Sequence, residues 1–125
     1  MQKLKCLALA FLIIVMTFFY SCDLFTESNP MHDFSISEED AEYEYSSYSY
    51  DYDVYVYGII KNISTKNYSS ISIEYAIYDV DGLLLGHATD YIYDLPSGEA
   101  CRFEAVLYGV NYEPDSYKLT KISAY

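Results

Sequence analysis

Ile71-Ser72-Ile73-Glu74-Tyr75-Ala76-Ile77-Tyr78-Asp79-Val80-Asp81-Gly82-Leu83 is the stretch that decides how this chain folds. Large apolar side chains fall at 71, 73, 75 and 77, and serine, glutamate and alanine fall between them. A period of two places the apolar set on one face of a β-strand. Asp81-Gly82 then supplies the residue pair that tight hairpin turns require, because glycine enters positive φ without a steric cost. Leu83 to Tyr93 is therefore predicted to return as an antiparallel partner.

The same reading extends in both directions. Upstream, Val54 to Asn62 carries Val56, Gly58 and Ile60 on one face and Tyr55, Tyr57 and Ile59 on the other, and apolar residues on both faces predict a central strand. Ser64 to Ser70 is a polar turn. Downstream, Leu95-Pro96-Ser97-Gly98 marks a turn, and Ala100 to Tyr108 alternates Cys101, Phe103, Ala105 and Leu107 against Arg102 and Glu104. A last strand is predicted after Pro114, over about Ser116 to Ser123. Phe34 to Asp53 is acidic, lacks lysine and arginine, and spaces tyrosines by two over Tyr43-Tyr45 and Tyr48-Tyr50-Tyr52. It reads as two strands joined near Ser46-Ser47. The competing reading is a flexible tyrosine-acid segment used in recognition. With no amphipathic helix in this part of the chain, the pattern predicts an all-β fold over residues 34–125. The expected architecture is a small antiparallel immunoglobulin-like β-sandwich, with an open barrel as the alternative.

The first residues have a different character. Lys3 and Lys5 precede Cys6 to Tyr20, an uncharged apolar run shorter than the roughly 20 residues that span a bilayer. That layout is expected of a signal peptide over residues 1–21. Phe19-Tyr20-Ser21-Cys22 ends the run with a small residue and a cysteine, and so resembles the lipobox of bacterial lipoproteins. The resemblance implies cleavage before Cys22, an acyl chain such as palmitate on that cysteine, and attachment to a membrane of the cell envelope. Residues 22–33, polar around Asn29-Pro30, read as a tether. Lipidation of Cys22 leaves Cys101 as a small unpaired hydrophobe, whereas ordinary secretory cleavage leaves a Cys22–Cys101 disulfide open.

Charge narrows the partners. The chain has 19 acidic and 7 basic residues, for a net charge of −12. Loss of the leader removes two lysines and gives 5 − 19 = −14. Nucleic acid is excluded as an expected partner, and anionic headgroups would repel the protein surface, leaving acyl chains to provide membrane attachment.

Tyr75-Ala76-Ile77-Tyr78-Asp79 resembles the motif that names the FxLYD domain, with tyrosine for phenylalanine and isoleucine for leucine. Gly58 and Asn62 on the preceding strand, Asp79 with Gly82 at the turn, Leu95-Pro96-Ser97-Gly98 and Phe103 follow that family's order of features. The resemblance covers residues 34–125. It implies a small β-sandwich module of bacterial envelope proteins, a family without a general assigned activity. Tyr75, Ile77, Tyr78 and Asp79 are then expected to specify the fold.

Sites for chemistry are sparse. His32 and His87 are too few for a zinc site and no Cys-x-x-Cys accompanies them, so no metal or other cofactor is expected. No Gly-x-Ser-x-Gly elbow occurs. Asp79-Val80-Asp81-Gly82 opens like a calcium loop, but Asp90 stands where the closing glutamate belongs, and turn chemistry explains the sequence better. Asn62-Ile63-Ser64 and Asn67-Tyr68-Ser69 match the glycosylation sequon, by chance if the protein is bacterial. The expected function is non-enzymatic. Surplus outward tyrosines, with Tyr55, Tyr57 and Tyr78 as candidates, would contact another envelope protein, or alternatively stack on the sugar rings of a glycan.

Overall fold

In a computed structural model of the chain, the described residues are 30–125. The expected leader, Cys22 and the tether up to Asn29 lie outside them. Pro30–Asp33 forms a single 3-10 turn, followed by β1 (Phe34–Ser46), β2 (Asp51–Asn62), β3 (Tyr68–Tyr78), β4 (Leu84–Leu95), β5 (Ala100–Val110) and β6 (Ser116–Ala124). The domain is all-β. Its strands run antiparallel in the order β1-β2-β5-β4-β3-β6. The tyrosine-acid stretch is thus strand on both sides of a turn at residues 47–50, and its second part merges with Val54–Asn62 into the single strand β2.

Pairing along the sheet is uneven. β1-β2-β5 and β4-β3-β6 are each joined by long ladders, while β4 and β5 meet at one pair, Thr89 with Val106. The narrow junction lets one sheet curl into two three-stranded halves whose apolar faces meet. From β1-β2-β5 come Val54, Val56, Ile60, Phe103 and Ala105, and from β4-β3-β6 come Ile71, Ile73, Tyr75, Ile77 and Ala88. The Tyr75 ring stacks on Phe103 of the opposite half at 6.0 Å and meets Tyr117 of β6 edge-on at 5.9 Å. At one end Phe34 packs on Tyr68 at 5.2 Å. Each buried valine, isoleucine and phenylalanine among them contributes about 1.5–3 kcal/mol by leaving water.

One irregularity sets the phase of β1. Ser37 pairs with Ile59 and Asp40 with Tyr57, so Glu38 and Glu39 together face Gly58 in a β-bulge, with Glu38 at φ 51°. The extra residue moves the inward positions from Phe34 and Ile36 to Ala41 and Tyr43. It also leaves the Glu39 carboxylate accepting a 2.6 Å hydrogen bond from the Tyr75 hydroxyl, which satisfies the polar end of an otherwise buried ring. Opposite the bulge, a Cβ on Gly58 would lie 3.0 Å from the Phe103 ring and 3.0 Å from the Ser37 carbonyl, so no larger residue fits without movement.

The 3-10 turn packs against the strands. Met31 packs on the core, the Asp33 carbonyl accepts from Ile63 N–H at 2.9 Å, and the Asp33 carboxylate accepts from the Tyr68 hydroxyl.

Candidate docking face

Strand alternation settles which side chains of β1-β2-β5 point away from the core. With Val54, Val56 and Ile60 inward, Asp53, Tyr55 and Tyr57 point outward, and their cross-strand partners share that side. Three rows result. Asp40, Tyr57 and Glu104 form one, Glu42, Tyr55 and Val106 the next, and Glu44 with Asp53 the third. The exposed Tyr108 ring meets Tyr55 edge-on at 6.3 Å. Tyr55 and Tyr57 are partly exposed. The outcome is a strip of phenol rings with a row of carboxylates along its β1 side and Glu104 on its β5 side.

Electrostatics at this face follow from that arrangement. Partial loss of hydration pushes both phenols up, helped at Tyr55 by Glu44 and Asp53 and at Tyr57 by Asp40 and Glu42. Both rings therefore stay neutral hydroxyls at physiological pH. Glu44 and Asp53 are like charges directly across a strand pair, a destabilising arrangement. Asp53 also accepts the Gly109 N–H at 3.0 Å.

Where β4 diverges from β5 past Thr89 and Val106, a shallow cleft of about 470 Å³ opens beside Tyr57, lined also by Glu38, Asp90, Arg102 and Glu104. The Asp90 carboxylate accepts the Glu104 N–H at 2.9 Å, covering a backbone donor that the missing ladder leaves unpaired. Arg102 reaches Glu38 at 3.8 Å, with both side chains well exposed, so this ion pair adds little to stability.

Comparison with family models, curated proteins and solved structures returned no match.

Tyr78, grouped in the sequence reading with Tyr55 and Tyr57, is on the other side of the molecule. It follows Ile77, which is fully buried, so it projects from the outer side of β4-β3-β6. Because the inner faces of the two halves meet, their outer faces point apart. The three tyrosines cannot form one patch. Tyr78 shares its side with Tyr91 and Tyr93, which are exposed on β4, and with Lys118 and Lys121 of β6. Tyr108 is the residue that sequence reasoning passed over, although its even position in the Cys101-Phe103-Ala105-Leu107 alternation puts it outward with Arg102 and Glu104.

Other sequence candidates have structural occupations. Tyr75 and Ile77 are fully buried. Asp79 heads the β3–β4 turn, accepting on Oδ1 from Asp81 N–H at 3.0 Å and Leu83 N–H at 2.9 Å, while its carbonyl takes the Gly82 N–H. Asn62 is buried, donates to the carbonyls of Lys66 and Leu95, and accepts from Ser64, which is incompatible with a glycan at that sequon. His87 lies on the surface 3.9 Å from Glu74, and among the described residues no group of three metal-ligating side chains converges. Cys101 is a half-buried free thiol on β5, its pKa raised by burial and then by Asp90, so it resists ionisation. Its possible disulfide partner, Cys22, lies outside the described residues.

Proposed function

We propose that this chain is a non-enzymatic envelope protein, held to a membrane by lipid on Cys22, whose β-domain docks another envelope protein through the outer face of β1-β2-β5. The observation that carries the docking reading is the strip formed by Tyr55, Tyr57 and Tyr108. Large amphipathic rings stand on the outer strand surface, Tyr108 well exposed and Tyr55 and Tyr57 partly so, where burying them against a partner gains apolar area at a small entropic cost. Of the site residues read from sequence, the proposal gives this role to Tyr55 and Tyr57 and leaves out Tyr78, which projects from the other half.

For the finer fold we propose an immunoglobulin-like sandwich of the FxLYD kind. Two features support it: β1-β2-β5 has the neighbour order of strands A-B-E, and β4-β3-β6 that of C′-C-F, with core rings crossing between them. The FxLYD resemblance rests on the order of its motifs. Lipidation rests on the apolar run and Ser21-Cys22 alone. Metabolic labelling with a palmitate analogue tests it directly. Labelled wild-type protein and an unlabelled, membrane-released Cys22→Ala variant are expected, and label retained by the variant would place the anchor elsewhere.

A second reading is carbohydrate binding, favoured by the cleft at Tyr57, where an aromatic ring stands among carboxylates able to accept sugar hydroxyls. Affinity capture and glycan arrays separate the two. Docking to protein predicts capture of an envelope protein that is lost in Tyr55→Ala/Tyr57→Ala, with no array signal above a heat-denatured control. An array signal that disappears in the same double variant would select the glycan reading instead.

A further inference from the structure

We propose that the occupant of the β1-β2-β5 outer face is a basic protein segment whose lysine or arginine side chains seat over Tyr55 and Tyr57, between the carboxylates of β1 and Glu104. This rests on the docking reading above and names the chemistry of the partner.

Charge complementarity carries the inference. Each of the two phenol rings has a carboxylate beside it on β1, Asp40 for Tyr57 and Glu42 for Tyr55, and Tyr57 has a second in Glu104 on β5. A cation over a tyrosine ring is attracted by the ring quadrupole, and flanking carboxylates add direct hydrogen-bonding partners. Beyond Tyr55 the strip ends in Glu44 opposite Asp53, a repulsive pair retained in the folded domain. A basic side chain laid across that row removes the repulsion. The face is also polarised along its length: Arg102 lies beside Tyr57, in the row where it pairs with Ile59, and reaches Glu38, while Lys61 lies farther along, opposite Ala100. A basic segment is thereby drawn most strongly to the Tyr55 end.

Alternative occupants fit less well. A second copy of this chain brings an excess of acid, since residues 30–125 contain 5 basic and 17 acidic residues, 5 − 17 = −12. A neutral glycan offers nothing to relieve the Glu44–Asp53 pair.

The test is a titration of the full-length protein, in detergent micelles, with a fluorescent peptide of alternating lysine and serine and with its glutamate–serine counterpart. The expected result is salt-sensitive binding of the lysine peptide alone. E42Q/E44Q/D53N should weaken it about tenfold or more, and Tyr57→Ala about two- to fivefold. D94N/E99Q/E113Q removes the same number of charges elsewhere and should change it less than about twofold, with neither triple variant melting below the parent. Equal weakening by the two triple variants would show attraction to the whole acidic molecule and overturn the proposal. Displacement of the peptide by a chitin oligosaccharide would overturn it in favour of a glycan. If the lysine peptide fails while capture of an envelope protein still depends on Tyr55 and Tyr57, the basic partner is wrong and the docking reading stands. If both fail, both are wrong.

Discussion

Tyr75 concentrates the physics of this fold in one side chain. Its ring is fully buried between Phe103 and Tyr117 while its hydroxyl reaches Glu39 at the bulge of β1. Tyr75→Ala removes ring and hydroxyl together and should cost about 3–5 kcal/mol, a large share of the roughly 5–15 kcal/mol that stabilises a small domain. Tyr75→Phe keeps the ring and loses only the hydrogen bond, so about 1 kcal/mol is expected. Denaturant melts of the two variants check the ranking. An alanine variant as stable as the parent would mean that the ring does not hold the core. Gly58→Ala should cost about 1–3 kcal/mol, because the new methyl meets the Phe103 ring and the Ser37 carbonyl at once. An unchanged melting temperature would show that the bulge can relax around it. The inward position of Tyr75 is legible in the Ile71-Ile73-Tyr75-Ile77 alternation. Its bond to Glu39 and the pressure of Phe103 on Gly58 are not, since each joins residues far apart in sequence whose meeting depends on how the sheet curls.

At the scale of elements, the alternation of apolar residues locates the strands and the turn residues separate them. Asp81-Gly82 and Pro96-Ser97-Gly98 stand at the observed turns, with Gly82 at φ 77° and Gly98 at φ 81°. The bulge in β1 does leave a trace in the sequence: apolar residues occupy even positions at Phe34 and Ile36, then odd ones at Ala41, Tyr43 and Tyr45. A one-residue insertion between them is what that change of parity means. Asn62 is harder to read, since a polar residue at the end of a strand looks like the start of an exposed turn. Instead its buried amide ties β2 to the following loop through Lys66 and to the β4–β5 turn through Leu95. Asn62→Ala should leave buried carbonyls without donors and cost about 1–3 kcal/mol. Faster amide exchange in both the 63–67 loop and the 95–99 turn is expected. Loosening of only one of them would show that the side chain does not link them.

For the molecule as a whole, tyrosine governs both the alkaline limit of stability and the surface that meets a partner. Burial, followed by the bond to Glu39, pushes the Tyr75 phenol well above its ordinary 10.0, and Tyr43, Tyr68 and Tyr117 are shifted the same way. Above pH 10 the unfolded chain releases protons that the folded domain still holds, so folding stability, fully present below that pH, falls as pH rises further. Urea midpoints should therefore decline above pH 10, less steeply in Tyr75→Phe, and an identical decline in both would assign the limb to other groups. The composition announces abundant tyrosine, but which rings face outward together depends on the pairing of β1, β2 and β5. That is why Tyr78 separates from Tyr55 and Tyr57 once the sheet is closed. The most direct test of the docking face is site-specific photo-crosslinking in living cells, with a benzoylphenylalanine placed at position 57 or at position 91 on the opposite outer face. A discrete protein adduct is expected from position 57 and none from position 91, whereas equal adducts from both, or an adduct from position 91 alone, would rule out docking through the outer face of β1-β2-β5.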